Sequence, residues 1–156
     1  FPRIGTVLQA YLRRTVDDAK TLAASGGNLR LCKGIYREPK AIAFPGKEEI
    51  RASYLEAAEI LLKGDGSYVG FATHDRVLAA RLVELVERIG APKDRFEFQA
   101  LLGVPVDDML EDFVKRGYKV RVYVPFGDEW YAYSTRRLKE NPKMATYVTK
   151  ALFFGR

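Results

Sequence analysis

Two hydrophobic rhythms alternate along the chain. Short, mostly apolar runs recur at Ile4 to Tyr11, Leu29 to Tyr36, Tyr68 to His74, Phe96 to Leu102 and Val120 to Val124. They are too apolar for strands with one face in water and suit strands covered by helices. In the last run, Val120, Val122 and Val124 share one face, and Arg121 and Tyr123 share the other. Between the runs, apolar residues fall every three or four positions, the helical spacing. That spacing predicts one helix from Thr15, with Asp18 three residues on as its capping partner, to the stop at Gly26 and Gly27. Further helices are predicted over Lys47 to Lys63, Asp75 to Ile89 and about Val106 to Lys115, each closed by glycine. Pro125 and Gly127 end the fifth strand, and the helix predicted after them carries Tyr133, Arg136, Arg137 and Glu140 within about two turns. The tail from Met144 to Arg156 is less patterned and is read as a further helix beneath the array.

Five strands, each followed by a helix, imply βαβ units and a parallel sheet. The sheet is either an open doubly wound one or part of a (β/α)8 barrel. No G-x-G-x-x-G or G-x-x-x-x-G-K-[ST] follows any strand, which weakens the open-sheet alternative. Polar residues instead gather near the carboxyl ends of the strands, at Gln9, Arg30, Lys33, Thr73, His74, Gln99 and Tyr123. That is the pattern of a site assembled from many βα turns at the top of a barrel.

Composition narrows the field. The 156 residues are 47% hydrophobic, enough for one domain with a real core. The net charge of +6 suits an anionic ligand, an acidic membrane surface or nucleic acid. The basic residues, however, are interleaved with acids along the helices and form no block, so no nucleic-acid partner is expected. A single cysteine, Cys32, excludes an internal disulfide and a cysteine-based metal site, and it is read as a small core residue. His74 is the only histidine, and no metal ligands lie at useful spacing around it. With its single cysteine the chain is expected in a reducing, intracellular setting, cytoplasmic or, since no apolar run approaches the roughly 20 residues that span a bilayer, only peripherally associated with a membrane. The chain opens on Phe1, inside what reads as a loop entering a strand, and it is expected to be the trailing piece of a longer protein.

Arg30, flanked by Leu29, Leu31 and Cys32, is the most pointed candidate. A guanidinium in a buried strand costs several kcal/mol unless it meets an anion or several acceptors. It serves either a ligand or a structural salt bridge, with Glu97 as the natural partner. Lys33 before Gly34 joins a cation to a close backbone approach, which suits a phosphate, although a solvated strand end fits equally. Thr73, His74 and Asp75 can form a site or simply cap the next helix. Gln9 and Gln99 need partners, either a ligand's heterocycle or each other. Arg136 and Arg137 beside aromatic rings can grip a carboxylate bidentately, or they can close the helix as a solvated basic face.

The stretches LRLCKGIY, GFATHD, FEFQALLGV and VRVYVPFG, with WYAYSTRRLKENP after the last, resemble the second half of the proline dehydrogenases in content, order and spacing. The resemblance implies an α/β fold, a distorted (β/α)8 TIM-type barrel of which this chain supplies about the last five strand-helix units. Residues 1–156 would then be the C-terminal part of a single barrel domain. It implies an FAD-dependent oxidation of L-proline to 1-pyrroline-5-carboxylate, with electrons passed to a membrane quinone. By the same resemblance Arg30 is catalytic, set against the flavin. Gln9, Lys33, Gly34, Ile35, Thr73 and His74 hold the flavin and its phosphates. Arg136 and Arg137 clamp the proline carboxylate, Tyr123 and Tyr133 pack around its ring, Leu101 forms an apolar wall, and Tyr36 and Glu140 stand behind these contacts.

A lysine and an aspartate that the family carries on earlier strands are absent here, and about three βα units are missing from the eight that closure needs. The chain alone is therefore expected not to oxidise proline. Two alternatives remain at this point: another flavin barrel such as a methylenetetrahydrofolate reductase, and a non-enzymatic basic α/β module that binds anions.

Overall fold

The computed structural model describes residues 4–128 apart from 37, 65 and 125, together with Thr135. The elements alternate without exception among these residues: β1 (Gly5–Gln9), α1 (Thr15–Ser25), β2 (Gly27–Cys32), α2 (Lys47–Lys63), β3 (Ser67–Ala72), α3 (Arg76–Arg88), β4 (Phe96–Leu101), α4 (Asp107–Lys115) and β5 (Val120–Tyr123). All neighbouring strands pair in parallel, and their order in the sheet is their order in the sequence. A doubly wound sheet reverses its strand order at a switch point; this one does not, which is the winding of a barrel.

The helices all cover one face. Leu8, Leu29, Leu31, Val69, Phe71, Phe96 and Phe98 point toward them and form one core with Ala19 and Ala23 of α1, Tyr54, Ala57 and Leu61 of α2, Leu78 and Leu82 of α3, and Phe113 of α4. Each large side chain in that layer contributes about 1.5–3 kcal/mol by leaving water. Register follows from this, because a slip of one residue would turn every one of these side chains to the other face. α2 is bracketed by glycines. Glu49 reaches back to accept from the Gly46 backbone N–H at 3.0 Å, and the buried Tyr54 hydroxyl donates to the Leu31 carbonyl at 2.6 Å, fastening the helix to β2.

Several sequence expectations change in detail. The second strand ends at Cys32 and not at Tyr36, since Gly34 has φ of 93° and breaks the extended run. Thr15 does begin α1, but its hydroxyl caps nothing; it donates to the Gln9 carbonyl at 2.6 Å and ties the helix start to the end of β1. Cys32 is half-buried and lies off the helix-facing core, with its thiol 3.5 Å from the Leu8 carbonyl. No helix among the described residues is long and apolar enough to cross a membrane. Tyr133, Arg136, Arg137, Glu140 and the tail from Met144 lie outside the described residues.

Candidate active site

The face of the sheet turned away from the helices is polar. Strand register sets its rows: Val7, Arg30, Gly70 and Glu97 in one, and Gln9, Cys32, Ala72, Gln99 and Arg121 in the next. An open hollow of about 370 Å³ lies before it, lined by Val7, Asn28, Arg30, Glu97, Gln99 and Arg121 among others. These residues alternate along strands whose other residues are core, so strand periodicity alone delivers them to one surface.

They form a continuous network. Arg30 Nε donates to Gln99 Oε1 at 2.9 Å, and Gln99 Nε2 donates to Glu97 Oε1 at 2.7 Å. Glu97 also accepts from Arg121 Nε at 2.6 Å and Nη2 at 3.0 Å, and from the Tyr68 hydroxyl at 2.9 Å. Burial pushes the Glu97 carboxyl up, but the hydrogen bonds from Arg121, Gln99 and Tyr68 outweigh it and hold the group below the usual carboxylate range. Tyr68 is pushed up to about 12 by its own burial and by that bond. Two cations thus face one carboxylate. The Arg30 guanidinium also sits 5.5 Å from the centre of the Tyr123 ring. The salt-bridge alternative for Arg30 is corrected here: Glu97 pairs with Arg121, and Arg30 reaches it only through Gln99. The Gln99 amide is held by Arg30 and Glu97, not by Gln9.

At the carboxyl ends of the strands a second group assembles. His74 Nε2 accepts from the Leu101 backbone N–H at 2.9 Å, which leaves the proton of the neutral ring on Nδ1. Burial, with Lys33 and Arg30 nearby, pushes the His74 pKa down. Leu101 is buried in a small cluster with Val104 and Val106, against Tyr123. Asp75 caps α3 through the Leu78 N–H at 3.3 Å and accepts from Lys33 Nζ at 3.0 Å and from Arg51 Nε and Nη2 at 3.0 and 2.9 Å. Despite burial, those bonds hold its carboxyl well below the usual range. Thr73 accepts from the Asp75 N–H at 3.1 Å, so the capping alternative is realised in this turn, with Asp75 as the cap of α3. Gly34 is required: its backbone is left-handed, and a Cβ there would overlap the Tyr11 ring. Ile35 beyond it is exposed.

Of the residues singled out from sequence, the structure brings Arg30 to Tyr123, His74 to Leu101 and Lys33 to the turn that carries Thr73, with Gln9 at the end of the neighbouring strand. In the sequence Glu97 stands out only as a partner for Arg30 and Arg121 only as sharing a strand face with Tyr123, while Tyr68, Gly70 and Arg51 carry no functional expectation. Glu97, Arg121, Tyr68 and Gly70 share the strand parity of Arg30, a signal that alternation could have supplied; Arg51 lies on a helix and gave none. No group of His, Cys, Asp and Glu among the described residues is arranged to hold a metal.

Sequentially wound parallel units, with helices on one face and charged residues on the other, make this a segment of a (β/α)8-type barrel. The sequence matches the proline dehydrogenase family model over residues 1–150. It is 39% identical to a proline dehydrogenase of Deinococcus radiodurans and 39% identical to proline dehydrogenase 1 of Bacillus subtilis, each over 97% of this chain. The alignments cover 48% and 50% of those proteins, so the chain spans about half the length of the curated relatives it matches. Among solved structures it superimposes on proline utilization A from Bdellovibrio bacteriovorus inactivated by N-propargylglycine, with a TM-score of 0.78 and 31% identity over 88% of this chain and 16% of that one. The D779Y mutant of proline utilization A from Bradyrhizobium japonicum gives a TM-score of 0.75 at 27% identity, over 97% of this chain and 17% of that one. The chain belongs to the proline dehydrogenase family.

Proposed function

We propose that these five units form the C-terminal part of one proline dehydrogenase barrel domain, completed by further βα units, which oxidises L-proline to 1-pyrroline-5-carboxylate. Family membership supports the substrate, and the length of the relatives supports the further units. The observation that carries the reading is Arg30: a cation fixed on the polar face of the sheet, beside an aromatic ring, and linked to Glu97 only through a neutral amide. N-propargylglycine, which inactivated one structural relative, pairs a secondary amine with a carboxylate, as proline does.

The donor set fits FAD. Lys33 and the left-handed turn at Gly34 suit its pyrophosphate, His74 offers Nδ1–H, Thr73 and Gln9 offer polar atoms, and the exposed Ile35 offers apolar surface. When bound, FAD would supply a two-electron acceptor for the hydride that L-proline gives up on becoming 1-pyrroline-5-carboxylate, with a quinone as the final acceptor. Arg30 would supply a fixed positive charge that favours the reduced, more negative form of FAD. Arg136 and Arg137 hold the substrate carboxylate, and Tyr123, Tyr133 and Leu101 limit the pocket to a small ring, with Tyr36 and Glu140 behind them. A quinone acceptor implies peripheral contact with a membrane from inside the cell.

The natural-length protein tests this by rapid mixing with L-proline. Arg30→Met is expected to slow flavin reduction on the order of a hundredfold at saturating proline. Arg136→Met or Arg137→Met is expected mainly to weaken proline binding, by about 1.5–3 kcal/mol, with flavin content retained. Unchanged reduction by Arg30→Met would refute the assignment of Arg30, and unchanged binding in both other variants would return that pair to the surface.

A further inference from the structure

The polar face has a gap at the level of Arg30. β3 runs between the strands of Arg30 and Gln99, and there it carries Gly70, paired with Arg30 on one side and Glu97 on the other. Gly70 is not among the glycines with left-handed backbone, so flexibility does not explain it. Space does: a Cβ at Gly70 would overlap the Gln99 amide nitrogen. Gln99 passes over β3 at this point and meets Arg30 two strands away.

The orientation of the amide is also determined. An ionised carboxylate only accepts hydrogen bonds, so Glu97 draws the NH2 group of Gln99 to itself and turns the carbonyl toward Arg30. Glu97 in turn is held by Arg121 and Tyr68. A carboxylate in place of Gln99 would fix Arg30 just as well but would cancel its charge.

We infer that Gly70, Gln99 and Glu97 are positioning residues for Arg30, a relay that holds the guanidinium through a neutral acceptor so that its positive charge remains available to the site. The inference rests on the role proposed above for Arg30. Gly70 leaves the passage, Glu97 sets the amide, and the amide sets the guanidinium.

The test uses the flavin-loaded, natural-length protein with Gly70→Ala, Gln99→Ala, the double variant, Gln99→Glu, and Arg30→Met as reference. Gly70→Ala and Gln99→Ala should each slow flavin reduction by saturating proline on the order of tenfold, with KM for proline within about twofold. The double variant should be no slower than Gln99→Ala, because the passage is then unused. Gln99→Glu should lower the midpoint potential of the bound flavin at unchanged flavin content. A purely structural role would instead lower flavin content and melting temperature and leave the potential in place. The relay is overturned if the losses multiply in the double variant. It is equally overturned if Gly70→Ala and Gln99→Ala keep wild-type rates and potential while Arg30→Met is slow. If Arg30→Met itself changes neither rate nor potential, the role of Arg30 is wrong and the relay falls with it. Should Gly70→Ala fail to fold, Gln99→Ala and Gln99→Glu decide the matter.

Discussion

The surroundings of His74 determine the direction in which its protonation couples to stability. Burial, Lys33 and Arg30 depress its folded pKa below the ordinary 6.5, so the unfolded chain takes up a proton first as the solution is acidified. Stability is therefore full above about that ordinary value and falls with pH through the depressed folded one. Protonation also removes the acceptor that Leu101 N–H uses. His74→Gln keeps an acceptor within reach and cannot titrate. Melting curves of the natural-length protein between neutral and mildly acidic pH should show wild type losing about 1 kcal/mol relative to His74→Gln, and parallel curves would contradict the assignment. The surroundings of Arg30 are half legible in sequence. Its cost of burial announced a partner, but the partner depended on Gly70, whose meaning appears only when β2, β3 and β4 are laid in register.

At the scale of elements, legibility followed punctuation. α2 runs from Lys47 to Lys63 as the spacing predicts, because Gly46 and Gly64 bracket an uninterrupted apolar stripe. The expected second strand, Leu29 to Tyr36, runs four residues past the observed end at Cys32, since Ile35 and Tyr36 prolong the apolar run and only the conformation of Gly34 ends the strand. The pairing of β4 with β5 joins Glu97 to Arg121, whose side chains are 6% and 63% exposed. Arg121→Met would leave a buried carboxylate with Gln99 and Tyr68 as its remaining donors. Because water already surrounds most of Arg121, the cost should be about 1 kcal/mol at neutral pH. The depressed Glu97 pKa means that this stabilisation is present above its unfolded value, near the ordinary 4.5, and is lost as pH falls through the folded one. The difference in melting temperature between wild type and Arg121→Met should accordingly shrink below that pH, and a constant difference would show that the ion pair contributes nothing.

For the whole molecule, winding order decided the architecture: five strands in sequence, helices on one side, charges on the other. The sheet of the described residues has β1 and β5 at its edges, with Val7 exposed on the inner face of β1 and Val122 on the outer face of β5. Open edges beside apolar surface invite association. The 156-residue chain expressed by itself is expected to aggregate or melt without cooperativity in sedimentation and calorimetry, and a monomer with one sharp transition would contradict the barrel-segment reading. The most direct measurement is the visible spectrum of the natural-length protein while L-proline is added without oxygen. The account predicts a yellow protein whose flavin band bleaches as proline is oxidised. A colourless protein, or a flavin band that proline leaves unchanged, would contradict it.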